Sequence, residues 1–169
     1  MGKKIIIGVM SLILVGALFV GFNVLKDDKK VKLDESVSSS LEYSGSIQEI
    51  LNKTYDRAKS SEKFEYKDEE IYSLVHWISN PVIKSKKNKR VGFLEPSPEN
   101  VDKMIYILDK AQLGPHKFFI KSLNEWKKGN FVEVEEVHNT AWKMLDGNVG
   151  RAIDRDEYEI NKLKEKYYK

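Results

Sequence analysis

From Ile5 to Leu25 the chain runs for twenty-one residues with only two polar side chains, Ser11 and Asn23. As a helix rising about 1.5 Å per residue, such a stretch is about 31 Å long, the thickness of a bilayer's hydrocarbon core. Lys3 and Lys4 precede it, and Val15-Gly16-Ala17 has the small-residue character of a signal-peptide cleavage site. The apolar run continues eight residues past Ala17, further than a signal peptide needs. Residues 1–25 are therefore expected to stay as a single-pass transmembrane signal-anchor, with residues 5–25 in the membrane. Basic residues after the span (Lys26, Lys29, Lys30, Lys32) favour a cytoplasmic C-terminal side. Against that, long domains translocate largely regardless of flanking charge, and exported chains begin with a short basic head. The expected location is the cell membrane with the C-terminal domain extracytoplasmic; a cytoplasmic-facing tethered adaptor is the alternative.

Lys3 and Lys4 are the only charged residues in the first 25, and the 27 basic and 26 acidic residues that follow nearly cancel. The slightly basic total thus gives no general attraction to nucleic acid. There is no cysteine, which excludes a lipidated cysteine, a disulfide and thiol chemistry. Residues 26–45 mix both charges with a serine run and lack apolar periodicity, so they read as a flexible linker reaching about 65 Å at most.

From Ser46 the pattern becomes helical. Residues 46–169 are expected to form one compact, all-α domain of about six short helices. Ser46 and Glu49 form a capping-box pair ahead of Ile47, Ile50, Leu51 and Tyr55. A second helix over 68–79 aligns Ile71, Leu74, Val75 and Ile78 and ends at Asn80-Pro81. After a basic loop over 82–96, with a short extended piece at 90–94, Ser97-Pro98-Glu99 opens a third helix with Val101, Met104, Ile105 and Leu108 inward. Gly114 is expected to stop it. Pro115 starts a fourth helix carrying Phe119, Leu123 and Trp126, which Gly129 ends. A fifth, over 131–145, puts Val134, Val137, His138, Ala141, Trp142 and Leu145 on one stripe. Asp154 and Glu157 cap the last helix, with Ile160, Leu163 and Tyr167.

Trp126-Lys127-Lys128-Gly129-Asn130-Phe131, followed by His138-Asn139, Trp142, Gly147, Gly150 and Ala152, carries the spacing HN-x-x-W-x-x-x-x-G-x-x-G-x-A without a gap. With His76 and Ser97-Pro98-Glu99-Asn100 upstream, residues 71–155 resemble an uncharacterised family of small single-span membrane proteins from Gram-positive, endospore-forming bacteria, a domain of unknown function. Two positions depart from that pattern: Asn80 stands where family members often carry a histidine, and no Thr-Gly follows Ala152. The resemblance implies a membrane-anchored helical domain and brings no activity, ligand or catalytic residue with it.

Among residues that could carry chemistry, Glu135 and His138 form the Glu-x-x-His pair of di-iron helical bundles. Such a centre needs a second copy, and Ser73 and Leu113 precede the other two histidines. No metal site and no cofactor are expected. His138, Asn139, Trp142, Gly147 and Gly150 admit two roles. In the first, Gly147 ends the fifth helix in a left-handed conformation, Gly150 allows a close approach, Asn139 ties the turn to the helix and Trp142 fills the core. In the second, these residues and His76 line a binding pocket. Gly147-Asn148-Val149-Gly150 mimics a backbone-clamping GXXG loop, but lacks the strands and the Gly-Lys-Ser/Thr that nucleic-acid or nucleotide sites need. Lys84, Lys86, Lys87, Lys89 and Arg90 put five positive charges in seven residues, a candidate surface for anionic lipid or wall polymer. No nucleophile elbow or buried acid pair is visible. The expectation is a non-catalytic binding module for a protein or an anionic envelope component, with a cell-envelope enzyme built near His76 and His138 as the alternative.

Overall fold

The computed structural model describes residues 45–86 and 89–169. The anchor at 1–25 and the linker up to residue 44 lie outside the described residues, as does Lys87. Among the described residues no helix is long and apolar enough to cross a membrane. Six helices follow in order: α1 (Gly45–Ser60), α2 (Asp68–Ser79), α3 (Pro98–Ala111), α4 (His116–Trp126), α5 (Val134–Met144) and α6 (Glu157–Tyr167). The domain is thus mostly helical, as the periodicity requires.

A short sheet is added to this plan. β1 (Ile83–Ser85) pairs antiparallel with β2 (Ala152–Arg155), setting Ile83 opposite Arg155 and Ser85 opposite Ala152, with an irregularity between Lys84 and Ser85. A 3-10 turn, Asn80–Val82, joins α2 to β1, and Asp156 N–H donates to Val82 O to extend the pairing. Segments this short carry too few residues for a period of two to register.

α2 runs through the middle. Ile71, Tyr72, Leu74, Val75 and Ile78 are all buried, because α5 covers one side of this helix while α3 also touches it. α3 packs against α1 and α4, and Phe119, Leu123 and Trp126 fill the layer beneath it. Some inward positions differ from expectation. α1 turns Ile47, Leu51, Thr54 and Ala58 inward and leaves Ile50 partly exposed, so its stripe steps by four, three and four residues. On α3 Ile107 is fully buried and Ile105 only half, because α3 meets both α1 and α4.

Helix ends follow local chemistry, with shifts from the expected residues. Ser97 accepts the Asn100 N–H at 3.3 Å, as its position before Pro98 predicts. α3 stops at Ala111, before Gly114: Gln112 takes the left-handed conformation (φ 51°) and the Tyr66 hydroxyl donates to the Ala111 carbonyl. α6 is capped by Asp156, whose carboxylate accepts from Glu159 N–H, rather than by Asp154, which lies in β2. Ser46 is helical in the described part of α1, Gly45–Ser60.

Candidate functional site

The joint between α2, α5 and the sheet is built on Asn80. This residue is fully buried at the end of α2, and its amide is fixed by three partners. The Nδ2 group donates to Val91 O at 3.0 Å and to Gly92 O at 2.7 Å, which leaves Oδ1 facing His138 Nε2 at 3.0 Å. An amide oxygen only accepts, so His138 carries its proton on Nε2 and donates it to Asn80. Arg90 closes the same turn from outside, donating from Nη1 to the carbonyls of Asn80, at 3.0 Å, and of Ile83. The segment that returns along α2 is held by Leu94 N–H to Trp77 O at 3.0 Å.

His138 is itself fully buried, and its ring lies 4.5 Å from that of His76, centroid to centroid. Burial holds the His138 pKa down to about 3, reinforced by neighbouring His76 and by Arg90; Asn139, 3.4 Å from Nδ1, pulls weakly the other way. Burial alone brings His76 down to about 4, and its Nε2 is enclosed without a hydrogen-bond partner among the described residues. Both rings are neutral at physiological pH. A neutral, enclosed imidazole that spends its N–H on an amide oxygen packs and positions; it is not poised to exchange protons with a substrate near pH 7.

Asn139 is the second fixed amide. It donates to Ala152 O at 3.1 Å and accepts from Ala152 N–H at 2.9 Å, stitching β2 to α5 as an adjacent strand would. The turn between them holds a correction. Asp146, with φ 50°, takes the left-handed position after α5, and Gly147 serves a different need. A Cβ at Gly147 would lie 2.4 Å from Trp142 Nε1, so the missing side chain is where the indole sits. Trp142 is therefore half-buried over the turn instead of filling the core, and its Nε1 donates to Val149 O at 2.7 Å. Gly150 combines φ +84° with an ideal Cβ position 2.6 Å from the Lys89 carbonyl oxygen. Gly150→Ala is expected to cost about 2 kcal/mol, from left-handed strain plus a clash with backbone that cannot swing aside. Denaturant unfolding of the variant beside the parent measures it.

The residues proposed as one pocket thus divide. His76 and His138 join Asn80 in one joint, Asn139 ties that joint to β2 while also lining the outer groove, and Trp142, Gly147 and Gly150 shape the turn. Asn80 and Arg90 complete that joint; Asn80 stands out as a helix end and as the position where related sequences often carry a histidine, but no local signal connects residue 80 to residue 138. Among the basic residues Lys84, Lys86 and Lys89 are exposed, while Arg90 is turned onto backbone carbonyls. Glu135 lines an open groove of about 1010 Å³ along α5, whereas His138 is buried in the joint. Among the described residues no group of three His, Asp or Glu side chains is placed to hold a metal ion.

A small helical domain closed by two backbone-locked amides and a buried histidine stacked on a half-buried one, with an open groove along one of its helices, is the class of protein these features define. The chain belongs to a family of unknown function (DUF6241), whose profile matches residues 75–168 and so spans the joint, the groove and α6. No curated protein and no solved structure matches the chain.

Proposed function

We propose that the protein is a membrane-anchored, extracytoplasmic contact module that works through the outer face of α5 without catalysing a reaction. One observation carries this. The histidines that could do chemistry are held in the joint, while the groove along α5 leaves apolar side chains in solvent beside charges that form no ion pair among the described residues. Val132 is 64% exposed and Met144 46%, and half-buried Trp142 lies on the same groove. Methionine and tryptophan are among the residue types enriched at contact surfaces. The apolar run at 5–25 supports a fixed location, and the charged segment after it supports stand-off from the lipid. Lys84, Lys86 and Lys89, exposed and in no ion pair among the described residues, support a second, weaker contact with anionic envelope components.

Two measurements in cells test this. A reporter active only outside the cytoplasm, fused after residue 45, is expected to give signal; activity confined to a cytoplasmic reporter overturns the orientation. Photocrosslinking probes at positions 136 and 144, with others at 84 and 86, are expected to give discrete adducts from the α5 face. Smears or silence at every position would contradict a contact role.

A further inference from the structure

The outer face of α5 is not charged at random. Its groove is lined by Val132, Glu135 and Glu136 at the start of the helix and by Lys143, Met144 and Arg151 at its end. Nine ion pairs are distributed over the rest of the described surface, and none involves Glu135, Glu136, Lys143 or Arg151. Their neighbour Glu133 is engaged, by Lys121 and by the Ser122 hydroxyl at 2.7 Å. Acids and bases outside those pairs thus stand at opposite ends of this groove, flanking apolar side chains, with the smaller Thr140 halfway along.

Such a face is complementary to itself when reversed. Resting on the contact-module reading of α5, we propose that this surface binds a second copy of the chain, α5 antiparallel to α5 about a two-fold axis beside Thr140. In that arrangement Glu136 meets Lys143 of the second copy, and symmetry repeats the pair on the other side of the axis. The stem of each lysine covers apolar surface beside its charge. The seven residues from Glu136 to Lys143 span about 10 Å of helix, nearly two turns, so both belong to one face. Reversing one helix also places each positive N-terminal end beside the other's negative C-terminal end. A contact limited to one helix pair falls at the small end of interface sizes, so the association is weak and reversible, and is favoured where chains are concentrated.

The chain contains no cysteine, so single-cysteine variants report contacts without background. In the full-length protein, Thr140→Cys is expected to form disulfide-linked dimers under a mild copper oxidant at least tenfold faster than Lys84→Cys, whose site lies on β1. On the Thr140→Cys background, Glu136→Lys or Lys143→Glu alone is expected to slow crosslinking about tenfold, because two attractive pairs become repulsive. The combined Glu136→Lys and Lys143→Glu exchange should restore the rate to within about twofold. If Thr140→Cys disturbs folding, mixing Glu136→Cys chains with Lys143→Cys chains reads the same contact. Crosslinking no faster than at position 84, or no rescue by the exchange, overturns the two-fold contact. Cellular adducts at 136 and 144 with a different protein, alongside a failed self-crosslink, would leave the contact module standing without this partner; silence in both removes both.

Discussion

Acidification from pH 8 to pH 5 is expected to remove about 4 kcal/mol of folding stability, roughly half from each of His76 and His138. In the unfolded chain both rings take a proton near pH 6.5, whereas in the fold they do so only near 4 and 3. Between those values the unfolded state binds more protons, so stability falls as pH falls. Above about pH 7 both rings are neutral in both states and the full stability is present; below about pH 3 the histidine contribution is gone. The size follows from enclosure. A charge on His76 would find no acceptor at Nε2 among the described residues, and a charge on His138 would lie against His76 and be opposed by Arg90. Urea unfolding at pH 8, 6.5 and 5 measures the slope. His76→Phe keeps a ring in place and removes one titrating group, and should flatten the slope by about half.

The second large effect belongs to Asn80→Ala, expected to cost about 3 kcal/mol at pH 7.5. The truncation leaves the His138 Nε2–H without an acceptor inside the core and takes the amide donor from Val91 O and Gly92 O. Each buried polar group stripped of its partner costs about 1–3 kcal/mol, and the loss is moderated here because residue 91 is exposed and its carbonyl can turn towards water. The variant is expected to loosen segment 89–94 before the rest of the domain, since that segment depends on the Asn80 amide, on Arg90 and on the Leu94–Trp77 bond. Hydrogen exchange at Leu94 N–H, beside global unfolding, checks both points. Unchanged stability would mean that the amide is solvated rather than locked.

Much of the helical plan can be read from the chain because it repeats at short range. Ile71, Leu74, Val75 and Ile78 reveal α2, and Ser97-Pro98 reveals the start of α3 within a turn of its true position. Asn139 could be assigned to the turn because its partner Ala152 lies only 13 residues on. Three features resisted for physical reasons. The sheet is three and four residues long, and its pairing joins segments about 70 residues apart. The rule that a glycine ends a helix pointed to Gly147, where the true requirement is room for the Trp142 indole while Asp146 bears the left-handed turn. The Asn80–His138 bond crosses 58 residues and depends on the packing of α2 against α5, which no local pattern encodes. The histidines looked like chemistry because polar, titratable residues on an apolar stripe admit two explanations until their neighbours are known.

The central claim is that the histidine pair is an enclosed joint and the working surface lies elsewhere on α5. Histidine side-chain NMR tests it most directly, by following the ring nitrogens of the ¹⁵N-labelled protein from pH 8 to pH 5. The account predicts that His138 stays neutral with its proton on Nε2 over that range, and that His76 also stays neutral until the fold is lost. A His138 ring that titrates near pH 6.5 in the folded protein, or that carries its proton on Nδ1, would contradict it and return the pair to the status of an accessible site.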